Sequence, residues 1–387
     1  MYKIGIECES IEDSEQWGVG RIISKLLEEI SKKPELSHEF RFYLYFKSQI
    51  PDYSYLKNPI FVKKIVKPLL VPSSFSLYYY VYLPIKLWFE NLDLMYFPNY
   101  MLPLIFKGKS IVTVTPDILK EMHSTSMPFK YRLAYKIFTG HAIKHATALN
   151  SVSETAVEEL RSHSDIKTKK IFATPLGVDA SKFKTPKNTK PSIVQGDFVL
   201  FVAQAFPRRH LKETILAIDK LQSEFPNLKL VAIGKDKYPS VNSGQAPFIK
   251  SLVEKINKKH AKEVIIYKEY VSEDELIALY QNAKSFVYIS SSEAFGLPTL
   301  EALTAGSVPV VADVKLNDEI YGQNAFKVKL PADSDKITQA IKESLTNKQK
   351  RQQIINAAPE ITEKYAWEKH TDKTLKIFRK LANNNPE

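Results

Sequence analysis

The sequence predicts an α/β protein made of two doubly wound, Rossmann-like domains, and three observations lead to this prediction. Apolar segments of strand length alternate with helical segments along most of the 387 residues. Such alternation favours mostly parallel sheets covered by helices. It is interrupted by a polar, proline-containing stretch over residues 184–192, which is typical of a linker, and then restarts. The chain is also longer than one ordinary domain of about 100–200 residues.

The first half supplies one run of this alternation. Predicted strands cover residues 2–7, 41–46, 94–97, 110–115 and 148–152, and predicted helices cover 21–31, 130–144 and 154–162. These elements define a first domain over residues 1–184.

The second half repeats the pattern and defines a second domain over residues 193–358. Predicted strands cover residues 198–203, 229–234, 264–267, 285–289 and 308–312, and predicted helices cover 211–224, 248–259, 273–282, 299–305 and 334–346. A helical pattern follows Pro359 directly, so residues 359–387 are expected to form a C-terminal helix that returns towards the first domain. The two domains are expected to face a central cleft.

Composition excludes several classes of protein. Hydrophobic residues make up 44% of the chain and charged residues 25%, as in ordinary globular proteins. One cysteine, Cys8, excludes an internal disulfide framework and fits a reducing cytosol. The start of the chain resembles a strand rather than a signal peptide, and prolines and charges interrupt the most apolar region, residues 67–107. We therefore expect a cytoplasmic protein without a transmembrane helix.

The net charge of +12 favours an anionic partner, which could be nucleic acid, acidic lipid or a phosphorylated substrate. No nucleic-acid recognition motif is present, so nucleic acid is not the expected partner. Many lysines of the first half lie among aromatic residues, namely Lys63, Lys64, Lys67, Lys86, Lys107 and Lys109 near Phe75, Tyr78, Tyr79, Tyr80, Tyr82, Trp88 and Phe89. This mixture suits peripheral contact with the inner face of an anionic membrane. An aromatic core beneath a solvated basic face explains it equally well.

The most informative motif carries two glutamates eight positions apart, Glu293 and Glu301. Predicted strands flank it, and Pro298 and Gly306 are expected to begin and end a short helix between them. Glu293 is placed in the loop before that helix and Glu301 in its first turn. The carboxyl ends of parallel strands are where doubly wound sheets bind ligands.

The chemistry of this motif suits a sugar nucleotide. The free N–H groups at a helix N-terminus favour a phosphate, and Gly296 lets the backbone approach it closely. Glu301 could accept hydrogen bonds from the hydroxyls of a ribose, and Glu293 from those of a hexose. Alternatively, Glu301 only complements the helix dipole and Glu293 is a solvated loop residue. We favour the functional interpretation because the two occur together in this frame.

Further candidates lie where other predicted strands end. Arg208 and Arg209 follow the first strand of the second domain, where two cations are electrostatically poor at a helix start but suit a diphosphate. Gly18 and Gly20 follow the first strand of the chain, and alone they are a weak signal. Asp117 ends another strand, where it could contact a sugar or move a proton, or cap the following turn.

Two patterns that resemble metal sites are set aside. His141 and His145 have metal-ligand spacing, but the glutamate of the metalloprotease motif is missing. Asp333 and Asp335 directly precede a predicted helix and are interpreted as its cap. We expect no metal ligands.

These motifs together resemble the large retaining glycosyltransferase family four, the group 1 type, whose members have the GT-B architecture. The resemblance covers most of the chain and is most specific over Glu293-Ala-Phe-Gly-Leu-Pro-Thr-Leu-Glu301. It implies that Glu293 lies near the donor sugar and that Glu301 binds the nucleotide ribose. The residues whose backbone or side chains it further implies in donor binding are Phe295, Gly296, Leu297, Thr299, Tyr270, Val271, Gly18, Gly20, Arg208 and Arg209.

The resemblance also implies an activity. The expected reaction moves a hexose, with mannose as the first choice, from a nucleoside-diphosphate sugar to a glycan or lipid-linked glycan in cell-surface polysaccharide biosynthesis. Asp117, Glu293 and Arg209 are the expected catalytic residues, without a cofactor. The family often has a histidine where Pro116 stands, which leaves open a non-catalytic partner of another transferase. A nucleotide-sugar epimerase of the same architecture is a further alternative.

Overall fold

The computed structural model of the protein describes residues 1–12, 18–69, 71, 73–123, 129–163, 166, 169–184, 191–238 and 248–383. They divide into two compact units. The first unit comprises Met1–Gly177 and Trp367–Glu387, and the second comprises Val178–Ala366. Each unit is an α/β domain with a parallel sheet, so the predicted fold class is confirmed.

The first unit is built on a seven-stranded parallel sheet. Its strands are β1 (Tyr2–Glu7), β2 (Phe40–Phe46), β3 (Phe61–Ile65), β4 (Leu94–Phe97), β5 (Ser110–Thr113), β6 (Ala148–Ser151) and β7 (Ile171–Ala173). Their order across the sheet is β3-β2-β1-β4-β5-β6-β7. Ile4 of β1 is in register with Phe42 on one side and Leu94 on the other. The strand order therefore reverses between β1 and β4.

Helices cover this sheet. They are α1 (Val19–Ser31), α2 (Phe75–Leu77), α3 (Leu83–Trp88), α4 (Pro116–His123), α5 (Phe129–His145) and α6 (Glu154–Arg161). A π-helical turn, Tyr78–Tyr82, joins α2 to α3. The buried residues of α1 recur at helical spacing and so form one apolar side of the helix. This side packs against the buried residues of the strands.

The C-terminal helix of the chain completes the first unit. It runs over Trp367–Ala382 and packs on α1 and β1. Arg379 donates two hydrogen bonds to the carboxylate of Glu39, at 2.6 and 2.8 Å. His370 is buried, which lowers its pKa to about 4, and its Nδ1 lies 3.1 Å from the carbonyl oxygen of Pro175. A neutral imidazole can donate from Nδ1 to this carbonyl.

The second unit has a six-stranded parallel sheet. Its strands are β8 (Phe198–Val202), β9 (Lys229–Ile233), β10 (Ile265–Lys268), β11 (Ser285–Tyr288), β12 (Val308–Ala312) and β13 (Phe326–Val328). Their order is β10-β9-β8-β11-β12-β13, so it reverses between β8 and β11. The helices are α7 (Ala180–Lys184), α8 (Leu211–Leu221), α9 (Phe248–His260), α10 (Glu273–Asn282), α11 (Leu297–Thr304), α12 (Lys315–Tyr321), α13 (Ser334–Thr346) and α14 (Lys348–Lys364). The C-terminal helix of the first unit is accordingly α15.

The unit boundaries differ from those expected from sequence. The expected boundaries lay at residues 184 and 193 and before Pro359, whereas the units divide after Gly177 and after Ala366. Residues 185–190 of the expected linker lie outside the described residues. Helix α14 continues through Pro359 because Ile354, Ala358 and Ile361 are buried on either side of it, and this packing offsets one missing backbone hydrogen bond.

Gly234, directly after β9, occupies a position at which any side chain would overlap the neighbouring backbone. Its φ is +138°, and a Cβ there would lie 1.9 Å from the carbonyl oxygen of Ala203. We expect Gly234→Ala to lower the free energy of unfolding by about 3 kcal/mol or more, since strain and overlap add. Gly140→Ala in α5, where a Cβ meets no atom within 4 Å, is the matched control. It should raise stability by about 0.5–1 kcal/mol. Thermal unfolding of both variants tests this, and equal midpoints would contradict it.

No helix among the described residues is both long enough and apolar enough to cross a membrane.

Candidate functional site

The candidate site of the second unit lies where its strand order reverses. A short helical turn, Pro207–Arg209, follows β8, and the loop over residues 289–296 follows β11. Doubly wound sheets bind ligands at this place, beyond the carboxyl ends of the two strands. The two segments are joined directly, since Ser291 N–H donates to the carbonyl oxygen of Arg208 at 3.0 Å. The sequence placed the arginines beside this loop, and the structure brings them together.

His210 also joins the two segments, although the sequence did not single it out as a site residue. Its φ is +51°, in the left-handed region that a non-glycine residue seldom adopts. Its Nδ1 lies 2.8 Å from the carbonyl oxygen of Ile289. The side chain therefore ties the start of α8 to the end of β11 and holds the preceding arginines in position.

The carboxylate of Glu293 is oriented by three donors. Arg209 Nε donates to its Oε1 at 2.7 Å, Tyr288 Oη at 2.9 Å and Ser290 Oγ at 3.0 Å. Oε2 receives no hydrogen bond from any residue that the structure describes. The side chains of Arg209 and Glu293 retain 14% and 17% exposure, so the pair is reachable from solvent. This arrangement presents Oε2 as an acceptor for a ligand hydroxyl.

Tyr288 was missed as a site residue because it was assigned to the core of the strand before the motif. Its ring also lies beneath the guanidinium of Arg209, at 5.6 Å from ring centroid to Cζ. Burial and the neighbouring Glu293 carboxylate hold the pKa of Tyr288 well above its usual value. It therefore remains a hydrogen-bond donor at working pH. A polar ring at the last position of the strand before the loop was the signal available in the sequence.

Arg208 lies on the same turn as Arg209. Its Nε donates to the carbonyl oxygen of Ser292 at 3.3 Å, and its guanidinium covers the ring of Phe206 at 4.6 Å. Arg209 also donates to the carbonyl oxygen of Gln204 at 3.1 Å. Both cations thus contact the loop that carries Glu293, Arg208 at Ser292 and Arg209 at Glu293 itself.

Gly296 begins the helix of the motif in a left-handed conformation, with φ +86°. Leu297 and Pro298 are the first two helical residues, and Thr299 N–H bonds back to the carbonyl oxygen of Gly296 at 3.1 Å. Phe295 is buried with its ring against that of Tyr365, at 5.5 Å between centroids. Only the backbone of Phe295 is therefore suited to contact a ligand.

Glu301 lies in the second turn of α11, so its expected placement in the first turn was wrong. Helix α11 begins at Leu297, two residues earlier than predicted, because the turn at Gly296 starts it directly. Glu301 is only 4% exposed, and Tyr280 Oη donates to its Oε2 at 3.1 Å. Tyr280, on α10, is a second residue that sequence reasoning did not assign to the site.

The remaining expected residues of the second unit lie farther along the sheet. Tyr270 and Val271 follow β10, which β9 separates from β8. Tyr270 is 66% exposed, which leaves its ring accessible for stacking on a base. The structure does not place these two residues in contact with the Arg209–Glu293 pair.

The expected residues of the first unit are distributed over two strand ends. Gly18 begins α1 with φ +54°, and Gly20 is buried on that helix. Residue 17, which directly precedes Gly18, lies outside the described residues. Asp117 is the second residue of α4 and not the end of β5, which stops at Thr113. A carboxylate in this first turn complements the helix dipole, whereas the alternative stated from the sequence was a cap of the following turn.

The two patterns set aside as metal sites are consistent with structural roles. The rings of His141 and His145 lie 4.4 Å apart on α5. Asp333 caps α13 by accepting a hydrogen bond from Lys336 N–H at 2.9 Å. Within the described residues, no three His, Cys, Asp or Glu side chains converge on one point.

Comparison with known proteins identifies the family of the domain that carries this site. The sequence profile of the family described as "Glycosyl transferases group 1" matches residues 181–361. The chain contains a group 1 glycosyl transferase domain. This match confirms the resemblance that the motif from Glu293 to Glu301 predicted.

Curated relatives of the chain are distant. The "Serotype-specific mannosyltransferase WbdA" of Escherichia coli is 23% identical over 256 residues, which cover 63% of the chain and 30% of WbdA. The "O-antigen chain mannosyltransferase B" of Escherichia coli is 28% identical over 185 residues, covering 48% of the chain and 46% of that protein. The matched regions span less than half the length of either relative.

A solved structure shows the fold over nearly the whole chain. Sucrose-phosphate synthase from Thermosynechococcus elongatus superposes with a TM-score of 0.71 at 14% identity, covering 98% of the chain and 99% of that structure. At this identity the similarity shows the shared fold of two parallel-sheet α/β domains and nothing further.

Proposed function

We propose that the protein is a retaining glycosyltransferase that moves a hexose from a nucleoside-diphosphate sugar to a glycan or lipid-linked glycan acceptor. The observation that carries this proposal is the Glu293 carboxylate, held by three donors on Oε1 with Oε2 available, beside Arg208 and Arg209 in a group 1 domain. Mannose is the proposed sugar and cell-surface polysaccharide the proposed product class, because two relatives are named mannosyltransferases of O-antigen or serotype-specific type.

The site supplies a partner for each part of the proposed donor. Glu301 accepts hydrogen bonds from the ribose hydroxyls, and the exposed ring of Tyr270 stacks on the base. The N-terminus of α11 faces the diphosphate, with the helix dipole favouring its charge. Oε2 of Glu293 accepts from a hydroxyl of the hexose.

Departure of the diphosphate is the step that the cations assist. In retention by attack on the same face, the bond from the anomeric carbon to the phosphate oxygen breaks while the acceptor oxygen bonds to that carbon. The leaving phosphate takes the acceptor proton. Arg208, Arg209 and the α11 N-terminus stabilise the negative charge that develops on the diphosphate. Because these groups supply the positive charge, we propose that turnover requires no metal ion.

The first experiment measures binding of GDP, UDP, dTDP and ADP by calorimetry. The matching sugar nucleotide is then incubated with glycan acceptors, with and without EDTA. We expect one nucleotide to bind and its sugar to be transferred with retained anomeric configuration, read by NMR, at an EDTA-independent rate. Binding without turnover would instead indicate a non-catalytic partner protein, and an isomerised donor would indicate an epimerase. Absence of both binding and turnover would refute the proposal.

The first unit has a surface suited to a membrane, and we propose peripheral contact with an anionic leaflet there. We call it the Trp88 surface; its exposed apolar residues are Val81, Ile85, Trp88, Phe89, Leu104 and Ile105. Trp88 Nε1 donates to the carbonyl oxygen of Ile105 at 2.9 Å, which fixes the indole at the surface. Lys107 Nζ lies 6.0 Å from that ring, and Lys86 belongs to the same helix. An indole with flanking lysines suits a lipid interface.

Phe89→Ser tests this surface, because Phe89 is 82% exposed and its removal leaves the fold intact. Inserting a phenylalanine side chain into lipid contributes about 1.5–3 kcal/mol. We therefore expect at least about tenfold weaker binding to vesicles of phosphatidylcholine with 30% phosphatidylglycerol, measured by co-sedimentation. Ile50→Ser, at an exposed isoleucine outside the Trp88 surface, is the control and should bind like the wild type. Equal binding of both variants would exclude the Trp88 surface as the contact.

A further inference from the structure

A buried carboxyl group spans the strand-order reversal of the first unit. Glu7 is the last residue of β1, and Asn99 follows β4, the strand on the other side of the reversal. Asn99 Nδ2 donates to Glu7 Oε2 at 2.7 Å. The second unit has a corresponding contact at its own reversal, the Arg209–Glu293 pair. Polar pairs at these two places are of interest because doubly wound sheets bind ligands there.

Hydrogen bonds hold the carboxyl group of Glu7 in place. Glu7 Oε1 lies 2.9 Å from Glu9 N and 3.1 Å from Tyr78 Oη, and Tyr78 Oη also lies 3.1 Å from the carbonyl oxygen of Tyr45. Tyr78 has one hydroxyl hydrogen for these two acceptors. A proton on Glu7 Oε1 resolves the shortage, since it is donated to Tyr78 Oη while Tyr78 donates to Tyr45.

Burial and the nearby carboxylates favour the uncharged form of Glu7. Burial, followed by the Glu9 carboxylate, raises the pKa of Glu7 to about 8, with a smaller contribution from Glu12, and this outweighs the lowering effect of the hydrogen bonds from Glu9 N–H and Tyr78. The ammonium group of Lys47 is bound to Glu9 at 2.8 Å. The other titratable groups packed around Glu7 are Cys8, Tyr45, Tyr78 and Tyr79, whose pKa values are all raised by burial and which stay neutral.

The segment after β4 is held in an uncommon conformation. Tyr100 has φ +63°, in the left-handed region. The carbonyl oxygen of Met101 accepts a hydrogen bond from Tyr79 Oη at 3.0 Å. Consecutive tyrosines of the π-helical turn thus bond to Glu7 and to Met101, on either side of Asn99. Both π-helical turns and left-handed non-glycine residues occur preferentially at functional sites.

We infer that Glu7, uncharged, is a positioning residue that directs Asn99 to bind a hydroxyl of the acceptor sugar at this strand reversal. Asn99 is half-buried, and its Oδ1 receives no hydrogen bond from the described residues, so it can accept from a hydroxyl. This inference rests on the proposed glycosyl transfer and names its acceptor subsite. From the sequence, the expected sugar contact in the first domain was Asp117, which follows β5. Glu7 was not considered, although it is a charged residue at the end of β1.

Binding at Asn99 can be observed directly. The full chain is labelled with ¹⁵N-asparagine, and the Asn99 side-chain signals are assigned by their loss in Asn99→Asp. The methyl α-glycosides of mannose, glucose, galactose and N-acetylglucosamine serve as probes. We expect at least one probe to shift the Asn99 signals at pH 7, and Glu7→Ala to raise its Kd about tenfold or more. If none of the four shifts these signals, the inference is wrong.

The pH dependence separates positioning from a structural role. Above pH 8 the Glu7 carboxylate ionises and Tyr78 must turn to it, so the arrangement around Asn99 changes. We expect the probe Kd of the wild type to rise about thirtyfold between pH 7 and pH 9.5, because only the protonated fraction binds. Glu7→Gln carries a donor and an acceptor but cannot ionise. Its Kd should match the wild type at pH 7 and stay constant to pH 9.5.

Two controls complete the test. Glu90→Gln removes another carboxylate of the first unit, one that is paired with Lys64, and should leave the wild-type pH profile unchanged. Nucleotide binding is measured on every variant, since it belongs to the second unit. A pH profile in Glu7→Gln identical to that of the wild type overturns the inference and leaves the proposed function intact. If the wild type itself binds none of the nucleotides, the proposed function is refuted instead.

Discussion

Replacing Glu301 with alanine should weaken binding of the preferred nucleoside diphosphate by about a hundredfold or more. The reason is that, in the proposed complex, the carboxylate accepts from both ribose hydroxyls, and hydrogen bonds to a charged group contribute roughly 1.5–3 kcal/mol each. Two such bonds correspond to at least a hundredfold in Kd. Calorimetry on the wild type and the variant measures the change.

The ribose itself provides the sharper comparison. The wild type should bind a ribonucleoside diphosphate more tightly than its 2′-deoxy form, and Glu301→Ala should abolish that preference. An undiminished preference in the variant would show that another group binds the 2′-hydroxyl.

Stability must be separated from binding, because Tyr280 Oη loses its acceptor in Glu301→Ala. An unpaired buried hydroxyl costs about 1–3 kcal/mol. Tyr280→Phe removes the same hydrogen bond while keeping the carboxylate, and it is the matched control. We expect it to weaken nucleotide binding less than tenfold. If both variants unfold at the same temperature and bind equally, Glu301 has no direct contact with the nucleotide.

Replacing Glu293 with glutamine lowers kcat about a hundredfold or more while leaving the Kd for the free nucleoside diphosphate within threefold. The charge on Oε2 is lost, and with it the proposed charge-assisted bond to the hexose, which is the part of the donor that reacts. The amide also disturbs Arg209, whose Nε donates to Oε1. Initial rates at saturating donor, together with nucleotide calorimetry, measure the two quantities.

The donors around Glu293 predict a graded series. Tyr288→Phe and Ser290→Ala each remove one of three bonds to Oε1, so each should lower kcat by about tenfold or less. Their combination should approach the loss in Glu293→Gln, because the remaining bond from Arg209 alone does not fix the carboxylate. A kcat within threefold of the wild type in Glu293→Gln would remove Glu293 from the reaction.

Most of the fold was predictable because the central strands are strongly apolar. The strands flanking the motif were predicted at residues 285–289 and 308–312 and occur as Ser285–Tyr288 and Val308–Ala312. Three strands were missed, namely β3, β7 and β13. All three lie at sheet edges, and two are only three residues long. Their β-structure comes from pairing with a neighbour and not from a pattern of their own.

The site was predictable as a set of residues but not as an arrangement. Arg209 and Glu293 were both proposed from the sequence, yet they are 84 positions apart, and their contact depends on β8 lying next to β11. Tyr288 and Tyr280 were missed because a buried tyrosine in a strand or helix is indistinguishable from a core residue until its hydroxyl has a partner.

The sequence by itself determined the alternation of strands and helices, the two-domain count and the chemistry of the motif, since these depend on local periodicity and residue type. The tertiary structure decided which strand ends meet, that Oε2 rather than Oε1 of Glu293 is available, and that Glu7 bonds to Asn99 across 92 positions. Such contacts follow from the order of strands within a sheet. That order is set by packing over the whole domain, and local periodicity carries no record of it.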